Sequence, residues 1–333
     1  MPAAALDGRI LVTGGAGLIG SAVIWFLNRQ QRDDILVADA LDQSDKWKNL
    51  AALSFFDYME GSELRSRLLA PGDSLGRISA VFHLGACSDT RERDSAYLLE
   101  NNYAFTRDLA RWCLERNVRL VYASSAATYG DGLRGFSDSA PLHTLRPLNA
   151  YGYSKHLMDQ HAYRQGWLDR LVGVKYFNVY GPNEQHKGDM RSVVSKAFEQ
   201  INRSGRVGLF RSYRSDYAHG EQRRDFLYVK EAAEITVKLA TSEAAGLYNV
   251  GSGQTNTWND LARAVFAAME RTLQVDYIDM PEQLRDRYQY HTQAQLGRLH
   301  QVGLDYRRYS LAEGVLDYVR NYLLLEARLG DEA

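Results

Sequence analysis

Tyr151 and Lys155 stand four residues apart in the run Tyr151-Gly152-Tyr153-Ser154-Lys155, so a helix through them projects a phenol and an ammonium from one face. A free phenol with a pKa of about 10 is a poor base at neutral pH, and a neighbouring positive charge makes it a better one. The pair suits removal and return of a hydroxyl proton while the carbon beneath is oxidised and reduced. Taken alone, such spacing is common on helix surfaces. The run Tyr122-Ala123-Ser124-Ser125-Ala126-Ala127-Thr128-Tyr129-Gly130 changes its meaning, because it ends the apolar strand preceding the Tyr151 helix and offers Ser125 to hold the reacting oxygen near the phenol.

Oxidation needs an electron acceptor, and the chain opens with a place for one. Thr13-Gly14-Gly15-Ala16-Gly17-Leu18-Ile19-Gly20 follows an apolar strand and begins a helix, the context in which a glycine motif binds a dinucleotide. Gly14 permits the tight turn, Gly17 admits a pyrophosphate to the backbone, and Gly20 lets helix and strand approach, while the helix start favours the anion. The next strand ends in Asp39, roughly 20 residues on, where a carboxylate contacting ribose is expected. Asp39 argues for NAD and Lys46, in the following loop, for NADP. Asp57 is a candidate contact for an adenine amino group. The small residues of His83-Leu84-Gly85-Ala86-Cys87-Ser88 would let the backbone lie against the cofactor.

The elements that carry these residues follow from hydrophobic periodicity. Apolar runs at Ile10–Val12, Ile35–Val37, Ala80–Phe82, Leu120–Tyr122 and Leu171–Val174 alternate with helical patterns, which predicts βαβ units and a Rossmann-type parallel sheet with helices on both faces. Helical spacing between Tyr97 and Cys113 predicts one helix there. Beyond about Pro182 helices are expected over Ser192–Asn202, Glu231–Thr241, Trp258–Arg271 and Leu311–Leu329, with a long loop or hairpin from Arg211 to Arg224. The predicted division is a dinucleotide-binding domain over 1–180 with the catalytic residues, and a smaller mixed α/β substrate lobe over 181–333, with some exchange of chain between them.

The 333 residues are 45% hydrophobic and 24% charged, enough for a sizeable core, and the net charge of -1 provides no basic field for nucleic acid. Cys87 and Cys113 lack paired spacing, the eight histidines lack metal-site spacing, and no apolar run reaches the ~20 residues of a membrane span. The segment Met1–Arg9 has no long apolar stretch of the kind used for export. These features predict a cytoplasmic protein that binds no metal and no membrane.

A glycine turn, a serine at a strand end and a Tyr/Lys pair, in this order, resemble the extended short-chain dehydrogenase/reductase family. The resemblance continues through Lys175-Tyr176-Phe177-Asn178-Val179-Tyr180-Gly181-Pro182, where it implies a nucleotide-sugar contact at Asn178. Dehydratases of the family carry Asp-Glu after the active serine. Ala126 and Ala127 stand there instead, which leaves oxidation and re-reduction, hence epimerisation with a retained cofactor.

Within the family, Glu184-Gln185-His186-Lys187-Gly188-Asp189-Met190, Cys87-Ser88 and Arg287-Tyr288-Gln289-Tyr290-His291-Thr292-Gln293 are similar to segments of the epimerases that invert C6 of ADP-heptose. That likeness implies a second acid/base at Lys187, Lys155 on the nicotinamide ribose, and NADP as cofactor. It further implies cofactor contacts at Leu18, Ile19, Ala40, Leu84, Gly85, Ala86, Asn101, Val179 and Lys187. Substrate contacts are implied at Ser125, Asp189, Lys196, Phe210, Arg224 and Tyr288, with Arg224 on the diphosphate. A homo-oligomer, a pentamer, is expected by the same likeness. Gly61, where a basic residue is expected near the adenosine phosphate, and the enlarged 211–222 loop depart from the pattern. A UDP-hexose 4-epimerase and a non-catalytic dinucleotide-binding regulator are the competing readings.

Overall fold

The apolar runs of the first half become neighbouring strands of one parallel sheet in the computed structural model, which describes residues 6–70, 75–285, 288–304 and 308–331. The start of the chain, Met1–Ala5, and Arg287 of the similar segment lie outside the described residues. In chain order the strands are β1 (Arg9–Thr13), β2 (Ile35–Asp39), β3 (Asp57–Glu60), β4 (Ile78–His83), β5 (Arg119–Ser125), β6 (Val172–Tyr176), β7 (Asn178–Tyr180), β8 (Val207–Phe210), β9 (Arg223–Arg224), β10 (Phe226–Tyr228) and β11 (Gly246–Val250). The seven-stranded sheet has the order β11-β6-β5-β4-β1-β2-β3, and every neighbouring pair in it is parallel.

Every residue of β2, β6 and β11 is buried, as expected of strands covered on both faces. Side-chain alternation sorts β1 between two cores. Ile10 and Val12 pack with α1 (Leu18–Asn28), whereas Leu11 joins Leu109, Trp112 and Leu120 on the other side. The remaining helices are α2 (Gly61–Leu69), α3 (Ser95–Leu98), α4 (Phe105–Glu115), α5 (Ala150–Arg164), α6 (Val193–Ser204), α7 (Val229–Thr241) and α8 (Trp258–Ala268). α7 packs on α1 and β11 forms the sheet edge, so chain beyond residue 180 returns to the sheet. β7 pairs with β10, β9 with Asn256–Thr257 and β8 with Val275–Ile278, each pair a separate two-stranded sheet.

Two expected helices differ from their sequence patterns. The segment predicted as one helix from Tyr97 to Cys113 is α3 and α4 joined by a π-helical stretch, Leu99–Ala104. The widened turn carries Asn102, which accepts the Cys87 backbone N–H at 2.9 Å and donates to the Cys87 carbonyl at 2.9 Å and to Ser154 Oγ at 3.1 Å. The helix expected over Leu311–Leu329 is α-helical only over Leu311–Tyr318, becomes π-helical over Val319–Leu323, and breaks at Glu326, whose φ is 53°. The break turns the last residues back onto the body.

A buried ion pair fastens α5 to the sheet. The Asp159 carboxylate accepts from Tyr122 Oη at 3.0 Å and Ser124 Oγ at 2.8 Å, and Lys175 Nζ lies 2.8 Å away. Lys175 also donates to Thr128 Oγ1 at 2.6 Å, and the pair is essentially inaccessible to water. Removing one member of such a pair leaves the other charged and desolvated, at a cost of about 3–5 kcal/mol. Urea unfolding of Lys175→Met should show a loss of that size, with Asp159→Asn/Lys175→Met losing less than the sum of the single variants. A loss under about 1 kcal/mol in Lys175→Met would mean that the pair does not hold the helix.

Candidate active site

The C-terminal ends of β1, β4 and β5 meet a cavity of about 680 Å³. Gly14, at φ +65°, lies so close to β4 that an added Cβ would sit 2.5 Å from Gly85 Cα. Gly20 presses on the carbonyl of Gly14, which seats the start of α1 on the turn. Gly17 caps α1 without a side chain, and no acid occupies the first helical turn. The positive end of the helix therefore opens into the cavity with its amides available to an anion.

Behind this turn, Asp39 is fully engaged. Its carboxylate accepts the backbone N–H of Ala16 at 2.8 Å and of Ala40 at 2.7 Å, and it pairs with Lys46 Nζ at 2.7 Å. Lys46 also donates to the Ala40 carbonyl at 2.8 Å. The two residues that argue in opposite directions from sequence thus form one neutralised unit at the cavity wall. Gly61, where a basic residue was expected, starts α2 against the end of β2, with its missing Cβ 3.7 Å from the Asp39 carbonyl group.

Ser125 ends β5, and the Ala126–Tyr129 turn carries the chain onward to α5. Asn149 caps α5 by accepting the Gly152 N–H at 2.7 Å. A Cβ on Gly152 would come within 2.9 Å of the Ala127 carbonyl, so glycine beside Tyr151 allows the helix start to close on the serine turn. The Tyr151 phenol and the Ser125 hydroxyl face the same cavity. Burial raises the phenol above its ordinary value and the Ser125 hydroxyl draws it partly back. The expected lowering by Lys155 is absent from these influences, and Lys155 is itself buried. Desolvation pushes its ammonium down to about 8, opposed by Asp159 one helical turn away.

Lys187 reaches the same cavity from the Gln185–Met190 turn, which Gly188 bends at φ 51°. Burial pushes its ammonium down, and the nearby Glu184 carboxylate opposes the shift. Glu184 is itself buried and accepts from Ser192 Oγ at 2.6 Å, which fixes the turn to the start of α6.

The cavity brings together Gly14, Gly17, Leu18, Ile19, Gly20, Asp39, Lys46 and the Leu84–Ser88 run. It also brings together Ser125, Tyr151, Lys155, Asn178, Val179 and Lys187. Ala40, Asn101, Asp189, Lys196, Phe210, Arg224 and Tyr288 are not among its lining residues. Asn101 stands beside the π-helical Asn102, which makes the bridging contacts instead. Asp189 faces Arg91 Nη1 at 3.5 Å, and Lys196 donates to the Asp189 carbonyl at 3.3 Å.

Arg224, expected on a diphosphate, is buried among aromatic rings beside the cavity rather than in its lining. Its guanidinium lies 5.6 Å from the Trp258 ring and 5.0 Å from the Tyr288 ring and donates to the carbonyls of Arg223 and Gln289. Tyr288 accepts the Trp258 indole N–H at 2.8 Å, and Phe210 meets Tyr288 edge-on at 6.5 Å. Trp258, absent from the sequence expectations as a site residue, links this stack to the cavity, whose lining it joins. Asp89, Arg91 and His186 also line it; the charges following the small residues at the end of β4 were the available signal for the first two. Among the described residues no group of three His, Cys, Asp or Glu converges as a metal site, and no helix is long and apolar enough to cross a membrane.

Against known proteins, residues 10–251 match the NAD dependent epimerase/dehydratase family. The chain is 51% identical over 315 residues to the ADP-L-glycero-D-manno-heptose-6-epimerase of Nitratidesulfovibrio vulgaris, covering 94% of this chain and 97% of that one. It is 42% identical over 328 residues to the enzyme of the same name from Fusobacterium nucleatum, covering 95% and 98%. The crystal structure of the Helicobacter pylori ADP-L-glycero-D-manno-heptose-6-epimerase superposes with a TM-score of 0.78 at 26% identity, over 95% of this chain and 96% of that one. With a glycine turn, a seven-stranded parallel sheet, Ser125 at a strand end and Tyr151 and Lys155 on the helix that follows, the chain belongs to the NAD dependent epimerase/dehydratase family of extended short-chain dehydrogenases/reductases.

Proposed function

We propose that the protein inverts C6 of the heptose in ADP-glyceromanno-heptose, interconverting the D-glycero and L-glycero forms. The observation that carries this reading is the sharing of one cavity by the glycine turn, the Ser125/Tyr151/Lys155 set and Lys187, together with relatives of that name spanning nearly the whole chain. A bound nicotinamide would supply a reversible acceptor of hydride at C6. Gly14, Gly17 and the start of α1 would hold its pyrophosphate, and Lys155 its ribose.

Ser125 lines the cavity with the Tyr151 phenol and so is placed to share the C6 oxygen with it. Tyr151 removes or returns the hydroxyl proton for one configuration at C6. Rotation about C5–C6 in the ketone moves the oxygen, and Lys187 serves the other configuration. Burial favours an uncharged amine at Lys187, the form that can take up a proton. Ala126 and Ala127 follow Ser125, so no carboxylate pair there drives elimination of water.

NADP is the cofactor in this reading. Lys46 neutralises Asp39 at the wall where a 2′-phosphate would lie, which removes the carboxylate's repulsion. The 1–180 and 181–333 division, the homo-oligomeric, pentameric assembly and a cytoplasmic setting belong to the same proposal, the last in keeping with the free thiols of Cys87 and Cys113.

Proton NMR of ADP-D-glycero-β-D-manno-heptose incubated with the protein should show the L-glycero signals growing to equilibrium. No inversion at C6, with turnover of UDP-galactose in its place, would transfer the assignment to a hexose 4-epimerase. In the same assay Tyr151→Phe should fall by about 10²–10⁴-fold with its fold and cofactor content retained. A Tyr151→Phe rate within about threefold of the parent would remove the phenol from the chemistry.

A further inference from the structure

Asn49 sits between the dinucleotide turn and the Lys187 turn with 2% of its surface exposed. Its Nδ2 lies 2.8 Å from the Ala16 carbonyl, 3.0 Å from the Asn183 carbonyl and 3.2 Å from His186 Nδ1. Its Oδ1 accepts from Arg328 Nε at 3.1 Å. The amide has two hydrogens for three acceptors, so the two carbonyls take the short bonds and the His186 ring shares the longer one. An aspartate has no hydrogens to give, and a leucine offers neither half of the set.

The first carbonyl belongs to the glycine turn, and the other two acceptors flank the Lys187 segment. Asn183 is fully buried at φ 74°, donates to Ser21 Oγ on α1 at 3.0 Å and accepts the Leu329 N–H at 3.1 Å. The Lys187 N–H donates to the Glu184 carbonyl at 3.0 Å, so Asn183, Glu184, His186 and Lys187 form one continuous turn. Arg328 and Leu329 come from the segment that the break at Glu326 folds back, where Gly330 packs within 2.7 Å, by its absent Cβ, of the Ala52 carbonyl. Three stretches distant in sequence converge on two asparagine side chains.

We propose that Asn49 is a positioning residue for Lys187: it sets the turn bearing the second acid/base at a fixed distance from the glycine turn, with Arg328 of the folded-back C-terminal segment holding the amide in register. The inference rests on the reading of Lys187 given above. Its consequence is one-sided. Loss of Asn49 displaces the base that serves one configuration at C6 and leaves Ser125, Tyr151 and Lys155 on β5 and α5, which Asn49 does not touch. A displacement of about 1 Å at a reacting group slows its step by roughly 100-fold.

The test is single-turnover reduction of bound NADP by each C6 epimer of ADP-manno-heptose separately, in the parent, Lys187→Ala, Asn49→Ala and Arg328→Met proteins, with cofactor content and thermal midpoint measured for each. Lys187→Ala should slow one epimer and spare the other. Asn49→Ala should slow that same epimer by about 100-fold and hold the other within about threefold, and Arg328→Met should show the same bias to a smaller extent. Equal slowing of both epimers by Asn49→Ala and Arg328→Met, against a one-sided Lys187→Ala, overturns the positioning role alone. If Asn49→Ala fails to fold, the bias or its absence in Arg328→Met decides the question. A Lys187→Ala protein that treats both epimers alike overturns the second-base reading and this inference together.

Discussion

The buried carboxylate of Asp159 is the interaction on which the candidate site depends. Tyr122 and Ser124 of β5 and Lys175 of β6 all reach it from the sheet, while Asp159 itself belongs to α5. Ser124 is the neighbour of Ser125, and Asp159 lies one helical turn beyond Lys155 and two beyond Tyr151. One group of hydrogen bonds therefore fixes the separation of the serine hydroxyl, the phenol and the ammonium. In a low-dielectric interior such a group is held strictly, because any member that drifts leaves a partner unsatisfied.

Burial also governs the charges. Desolvation raises the Tyr151 phenol, lowers the Lys187 ammonium and brings Lys155 down to about 8, so all three are biased toward their uncharged forms. For the two ammonium groups this moves titration toward neutrality, where a group takes up and releases a proton most readily, whereas the buried phenol holds its proton more tightly. His83 illustrates the structural counterpart. Its ring sits between Thr13 and Thr106 hydroxyls, and burial drives it down to about 3, so it stays neutral and ties β1, β4 and α4 together beneath the cofactor cleft.

The parts of this arrangement that were legible in the sequence are those written in local pattern. Glycine spacing after a strand placed the turn, short apolar runs alternating with helical patterns placed the sheet, and the Tyr151/Lys155 interval placed two side chains on one helix face. The remainder depends on contacts between distant segments. Nothing near Asn102 announces the π-helical turn that aims it at Cys87 and Ser154, and the neighbouring Asn101 was the sequence candidate. Arg224 carried the right charge for a diphosphate, but Trp258 and Tyr288 are 34 and 64 residues further along, and the stack they form around its guanidinium has no local signature. Asn49 ends a short, mostly polar 3-10 turn, Asp45–Asn49, and its partners come from three other parts of the chain.

In this reading the hydrogen on the inverted carbon leaves and returns within the cavity, with only the hydroxyl proton passing through Tyr151 and Lys187. ADP-D-glycero-β-D-manno-heptose carrying deuterium at C6, incubated with the protein in ordinary water, tests this directly by the isotope content of the L-glycero product. The account predicts that deuterium remains at C6 of the inverted sugar. Replacement of that deuterium by solvent hydrogen would mean that C6 is inverted by deprotonation at carbon, and oxidation in this cleft would not be the reaction.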